Sequence, residues 1–255
     1  MTALVHYSVE NGVARLTLDS PHNRNAMSTA LVDQLRQGLT DAADDPGVRV
    51  VVLGHTGGTF CAGADLSEAA GRDPGDLATA RALEAAGLLR SILELPVPVI
   101  AAIDGHVRAG GMGLIGACDL VVAGTASTFA LTEARIGVAP SIISLTLLPK
   151  MTARAAGRFF VTGEKFGAEE AERIGLVTVA TNDVPATVAQ LTDEITKGSP
   201  QGLAASKALT TASILADFDR DAEKLANQSA QLFVSDEARE GMMAFLQKRQ
   251  PNWNK

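Results

Sequence analysis

Several stretches of this 255-residue chain carry residue types that could do chemistry together. Between Val99 and Gly137 an apolar run of strand length ends at Ile103, and a turn follows through Asp104 and Gly105. The adjacent glycines Gly110 and Gly111 then open a short apolar segment of helical length. A junction of this kind leaves backbone N–H groups unpaired at a helix N-terminus, where they attract an anion or a developing oxyanion. Glu133, in a Thr-Glu-Ala-Arg context just past the strand-like Thr128-Phe129-Ala130, is the candidate acid or base. A second loop, Thr59 to Leu66, follows the apolar run from Val48 to Leu53. Donor loop and carboxylate are expected to face one pocket.

The run from Gly111 to Gly116 also fits the dinucleotide fingerprint G-x-G-x-x-G, with Glu133 near the spacing of a ribose-binding acid. A dinucleotide loop follows its strand almost at once, whereas here Arg108 and its neighbours intervene after Ile103. A further reading is that the glycines only let the helix pack closely.

The segments F-C-A-G-A-D-L, D-G-x-x-x-x-G-G-M-G-L-I-G-A-C-D-L and F-A-L-T-E-A-R-I-G-V-A-P, in this order and spacing, resemble the three signature stretches of the enoyl-CoA hydratase/isomerase (crotonase) superfamily. The likeness extends from Ala14 to the tail A-F-L-Q-K-R-Q-P-N-W. It implies an α/β fold, a crotonase-like ββα spiral core over residues 1–197, and a C-terminal helical oligomerisation region over residues 198–255 that assembles a homotrimer or homohexamer. It also implies an oxyanion hole for a CoA thioester carbonyl, made by the backbone N–H groups of Ala64 and Gly110. Small residues suit that task, because they expose the amide and leave room for the thioester.

By the same resemblance Ala62, Gly63, Asp65, Leu66, Gly111 and Gly113 lie along the substrate-contacting loops. The Asp65 and His106 side chains themselves read as structural. Arg24 lies where the family approaches the nucleotide end of CoA, and is either a phosphate contact or a solvated surface arginine. Lys248 and Arg249 match the place of a basic CoA contact on the last helix, or else complement that helix's dipole. CoA is part of the substrate, so no separate cofactor and no metal are expected.

Family hydratases usually carry two glutamates holding a water, one in the second glycine loop and one in the third segment. Glu133 matches the latter, but Gly113 stands at the loop position and can act as neither acid nor base. A single base suffices for Δ3-Δ2-enoyl-CoA isomerisation. The run from Glu133 to Ser144, with Gly113-Leu114-Ile115, most resembles bacterial glutaconyl-type enoyl-CoA hydratases that also have glycine there, which favours hydration. A non-catalytic acyl-CoA binder is the third reading. Arg108 and Arg135 are candidates for binding a distal carboxylate, or are surface ion-pair partners.

The elements that must position these residues are legible in pattern. Asn11-Gly12 predicts a two-residue hairpin turn, with Ala14, Leu16 and Leu18 on one buried face. Ser28 offers an N-cap to a helix with Leu31, Leu35 and Leu39. Val48 to Leu53 has the unbroken apolar character of a parallel strand covered on both faces. Ser67 to Asp76, rich in Gly, Asp and Pro, is expected to be a mobile segment that closes over an acyl chain. Leu88, Ile92 and Leu95 share a helix face that Pro96 stops, and the chain is mostly helical from Val184 on, with a break at Gly198-Ser199-Pro200.

The composition, 46% hydrophobic but only 4% aromatic, implies a core built from aliphatic side chains. A net charge of −7 argues against nucleic acid or an anionic membrane as partner, since both need a basic face. The two cysteines, Cys61 and Cys118, lack metal-type spacing and read as reduced buried thiols. With no leader-like or membrane-length apolar run, the protein is expected in the cytoplasm.

Overall fold

The computed structural model describes residues 2–69 and 74–254. Its strands are β1 (Val5–Glu10), β2 (Val13–Leu18), β3 (Val50–His55), β4 (Thr59–Cys61), β5 (Val99–Ile103), β6 (His106–Arg108), β7 (Leu120–Gly124), β8 (Thr128–Ala130), β9 (Phe166–Gly167) and β10 (Val179–Thr181). The helices are α1 (Thr29–Asp44), α2 (Pro74–Glu94), α3 (Gly110–Ala117), α4 (Ser144–Leu147), α5 (Ala153–Thr162), α6 (Ala168–Arg173), α7 (Val184–Thr196), α8 (Pro200–Phe233) and α9 (Asp236–Leu246).

Local chemistry sets the first elements. Asn11 and Gly12 both take positive φ, 51° and 77°, as the tight turn between antiparallel strands requires, and β1 pairs with β2 from Val5↔Leu18 to Glu10↔Val13. Ser28 Oγ accepts the Leu31 N–H at 3.3 Å and opens α1, whose buried face includes Leu31, Leu35 and Leu39.

Two sheets share the remaining strands. One has the order β1-β2-β3-β5-β7-β10 and is parallel from β2 onward; the other has the order β4-β6-β8-β9 and is parallel through its first three strands. Each of the pairs β3/β4, β5/β6 and β7/β8 puts its first strand in the large sheet and its second in the small one. Helical segments then carry the chain on to the next pair or away from the last one. This is a ββα spiral of three turns.

The large sheet is covered on both faces. Leu16, Val51, Leu53 and Val99 belong to the main core with α1 and α2, while Val50, Val52, Ile100 and Val122 pack with Val184 and Val188 of α7. That double burial is why the β3 sequence shows no polar alternation.

The segment expected to be mobile is in part regular. Residues Leu66–Ala69 form a 3₁₀ turn and α2 begins at Pro74, a favoured first helical residue, while residues 70–73 lie outside the described range. Among the described residues no helix is long and apolar enough to cross a membrane.

Helix α8 starts at the Ser199 cap, whose Oγ accepts the Gly202 N–H at 3.1 Å, and contributes Ile214, Phe218 and Ala226 to the main core. It also inserts a charge. Lys207, 5% exposed, pairs with Asp119 at 2.8 Å and donates to the carbonyls of Ile92 and Val97, which fastens α8 to the end of α2 and the entry to β5. Lys207→Ala leaves Asp119 and both carbonyls without their cation, and is expected to destabilise the fold by about 3–5 kcal/mol, measured as a lowered urea midpoint.

Candidate active site

Three parallel neighbours, β4, β6 and β8, pair through Thr59↔His106, His106↔Thr128 and Arg108↔Ala130, so their C-terminal ends open side by side at one edge. Ala64 lies three residues past β4, Gly110 two past β6, and Glu133 three past β8. The sheet thus delivers all three of these residues to neighbouring loops.

The first loop is pinned from outside by residues 24–27. Ala62 N–H donates to the Arg24 carbonyl, Met27 N–H to the Gly63 carbonyl, and Asp65 N–H to the Met27 carbonyl. Ala64 therefore sits opposite Met27 in a parallel bridge whose bonds are made by its flanking residues, and its own N–H faces the other way. On that other side stands the start of α3. A Cβ built on Gly110 would lie 3.7 Å from Ala64 N, and one built on Gly63 would lie 3.2 Å from Gly110 N. Neither the Ala64 nor the Gly110 N–H has an acceptor among the described residues. Gly63 has φ +96° and Ala109 φ 47°, the latter unusual for a residue with a side chain.

The buried Asn25 braces the pinning segment. It accepts the Ser20 N–H at 2.6 Å and donates to the carbonyls of Thr56 and Thr59. The Asp65 carboxylate is engaged by Ser67 and by Asn23, whose Nδ2 donates at 3.0 Å. These bonds, led by that from the Ser67 hydroxyl, hold its pKa down. Its side chain therefore secures the loop and is not presented as a ligand contact. Pattern reading missed Met27, Asn23 and Asn25, because nothing local marks a segment that pairs with a loop some 40 residues on.

Glu133 opens the 3₁₀ turn Glu133–Ile136, which ends at Gly137 (φ +79°). The turn is clamped by α9: a Cβ on Gly137 would lie 2.6 Å from the Glu237 backbone, and one on Gly241 2.5 Å from that of Ile136. The Glu133 side chain is buried, and its Oε2 has no hydrogen-bond partner among the described residues. Desolvation pushes its pKa up from an ordinary 4.5 to about 7, against a smaller opposing effect of its own backbone N–H. A carboxylate so placed exchanges protons near neutral pH.

The remaining glycines of α3 serve packing. Cβ atoms on Gly111 and Gly116 would lie 2.8 Å from the Cys61 carbonyl oxygen and 2.9 Å from Thr146 Oγ1, and one on Gly113 would overlap the Ile143 side chain. Protein atoms therefore fill the side-chain directions of these glycines, as close helix packing requires, and Ile143 fills the place of a side chain at Gly113.

The flanking cations divide. Arg108 donates to the Val107 and Thr128 carbonyls and to Thr128 Oγ1, and Arg135 Nε donates to the Thr162 carbonyl, so each guanidinium braces backbone. Arg249 is held by Glu240. Arg24 and Lys248 are exposed, with no side-chain partner among the described residues. Burial pushes both cysteine thiols up to about 12, so neither supplies a thiolate.

Comparison with known proteins bears on the fold and the family. The family model described as enoyl-CoA hydratase/isomerase matches residues 8–255. A crystal structure of an enoyl-CoA hydratase from Mycobacterium avium superposes with a TM-score of 0.93 at 66% identity, covering 99% of this chain and 100% of that one. One from Mycobacterium smegmatis does so with a TM-score of 0.80 at 31% identity, covering all of both chains. A carnitinyl-CoA dehydratase of Proteus mirabilis is 31% identical over 261 residues, 99% of each chain.

Two measurements test the geometry. Gly63→Ala forces a side chain into a positive-φ turn against Ala109, and is expected to lose about 2 kcal/mol or more, whereas the Cβ of Gly110→Ala meets first the flexible tip of Met27 and should lose under about 1 kcal/mol. Because the folded pKa of Glu133 is raised, the native state binds more protons than the unfolded one between pH 4.5 and 7, and stability falls as pH rises through that window. The stability of Glu133→Gln relative to the unsubstituted protein should grow by about 3 kcal/mol from pH 4.5 to 8, measured by urea unfolding.

Proposed function

Since this chain belongs to the enoyl-CoA hydratase/isomerase family, we propose that it adds water across the 2,3 double bond of an acyl-CoA thioester. The observation that carries the reading is the buried Glu133 carboxyl, proton-exchanging near neutral pH, on a loop beside two backbone amides without acceptors among the described residues. In this mechanism Glu133 takes a proton from water as the water oxygen bonds to the β-carbon. The double-bond electron pair moves onto the thioester oxygen, which the Ala64 and Gly110 N–H groups hold. As the enolate collapses, Glu133 returns the proton to the α-carbon, so the sum is addition of one water. Each amide is worth about 3 kcal/mol in the transition state. The names of the Mycobacterium avium and Proteus mirabilis relatives, a hydratase and a CoA dehydratase, support water as the group added or removed.

The substrate itself brings the CoA, and no separate cofactor enters. The exposed Arg24 and Lys248 suit its phosphates. The exposed Met243, Phe245 and Leu246 of α9 suit packing between subunits, as a trimer or hexamer in the cytoplasm.

A second reading has its own support. Gly113 supplies no second carboxylate and Ile143 fills its place, which suits an isomerase whose single base moves a proton from C2 to C4 of a 3-enoyl thioester.

Assays with 2-enoyl-CoA and 3-enoyl-CoA series separate the two. Hydration of 2-enoyl substrates is expected, rising with pH to a plateau through a midpoint near 7, and falling about 10²–10⁴-fold in Glu133→Gln. Turnover of the 3-enoyl series alone would establish the isomerase; turnover of neither, with CoA thioesters still bound, would leave a binder.

A further inference from the structure

Among the described residues three buried side-chain polar atoms lack a hydrogen-bond partner: Arg36 Nε, Glu133 Oε2 and Ser141 Oγ. The Arg36 guanidinium is anchored through its Nη2 to the Glu84 carbonyl of α2. The other two lie eight residues apart on one segment. Ser141 is 6% exposed, its N–H donates to the Ala139 carbonyl, and its carbonyl accepts both the N–H and the hydroxyl of Ser144. Only its hydroxyl is left without a partner.

That segment is fastened to the site at both ends. At one end Val138 N–H donates to the Glu133 carbonyl at 3.1 Å. At the other, the Ile143 side chain occupies the space beside Gly113, one helical turn from Gly110 on α3. Ser141 lies between these anchors. A buried hydroxyl without a partner is destabilising, and a buried water needs two to four polar contacts, of which Glu133 supplies one.

We propose that the Ser141 hydroxyl is the second hydrogen-bonding contact of the water that adds to the β-carbon, in place of the side chain that Gly113 lacks. The inference rests on the hydratase reading. Ser141 undergoes no net proton transfer: its oxygen accepts the O–H that the water keeps, Glu133 takes the other proton, and the product hydroxyl retains the first.

The test uses the full chain carrying Ser141→Ala, with Ser141→Thr as the variant that keeps a hydroxyl. Three quantities are read: hydration of a 2-enoyl-CoA, exchange of the α-proton of the saturated acyl-CoA with deuterated water, and Tm. Exchange needs Glu133 and the amides but no attacking water. In Ser141→Ala, kcat for hydration is expected to fall about tenfold with KM little changed, exchange to stay within about twofold, and Tm to hold or rise. Ser141→Thr should recover part of the loss. Unchanged hydration in Ser141→Ala, or exchange falling in step with hydration, overturns the proposal. A wild-type protein that exchanges α-protons yet hydrates nothing overturns the hydratase reading, and this one with it.

Discussion

Parallel register among three very short strands is the constraint on which the rest of this structure depends. β4, β6 and β8 are three residues each, too short to be stable alone, yet their pairing sets the ends of three loops side by side. A slip of one residue would turn every side chain to the opposite face and carry the loops out of step. The large sheet prevents this, because each of the three strands follows directly from a buried strand that is itself fixed by packing on both faces.

Around that ladder the chain accepts conformations that run against local preference. Ala109 holds a positive φ that its side chain disfavours where the first loop meets the start of α3, and Glu133 keeps a carboxyl in a place that raises its pKa to about 7. Such features persist only where surrounding contacts over-determine them. Here those contacts come from remote parts of the chain: Met27 and Asn23 on the first loop, Ile143 on α3, and α9 against the Glu133 turn. The C-terminal helices are therefore part of the site's scaffold, with Lys207 tying α8 to the spiral and Gly241 letting α9 close on Ile136.

Gly113 shows how packing and chemistry are linked. The missing carboxylate is a matter of sequence, but its replacement by the Ile143 side chain is a matter of space: a glutamate at 113 would collide with a packed residue and require Ile143 to shift. On the proposed hydration a second polar contact comes from Ser141, whose hydroxyl lacks a partner among the described residues and which lies on the same segment as Ile143.

What the sequence determined by itself was what nearest neighbours along the chain dictate. The Asn11-Gly12 turn, the Ser28 and Ser199 caps, the double burial of β3 and the glycine-opened start of α3 are all written in residue types a few positions apart, and the signature segments singled out Ala64, Gly110 and Glu133 as candidates. Only the tertiary structure decided that Arg108 braces backbone, that Lys207 is a buried ion-pair partner, and that Ile143 excludes a side chain at 113. The physical reason is distance in sequence. Partners 20 to 115 residues apart leave no periodic or local trace, and whether a polar atom is paired is settled by what the fold brings against it.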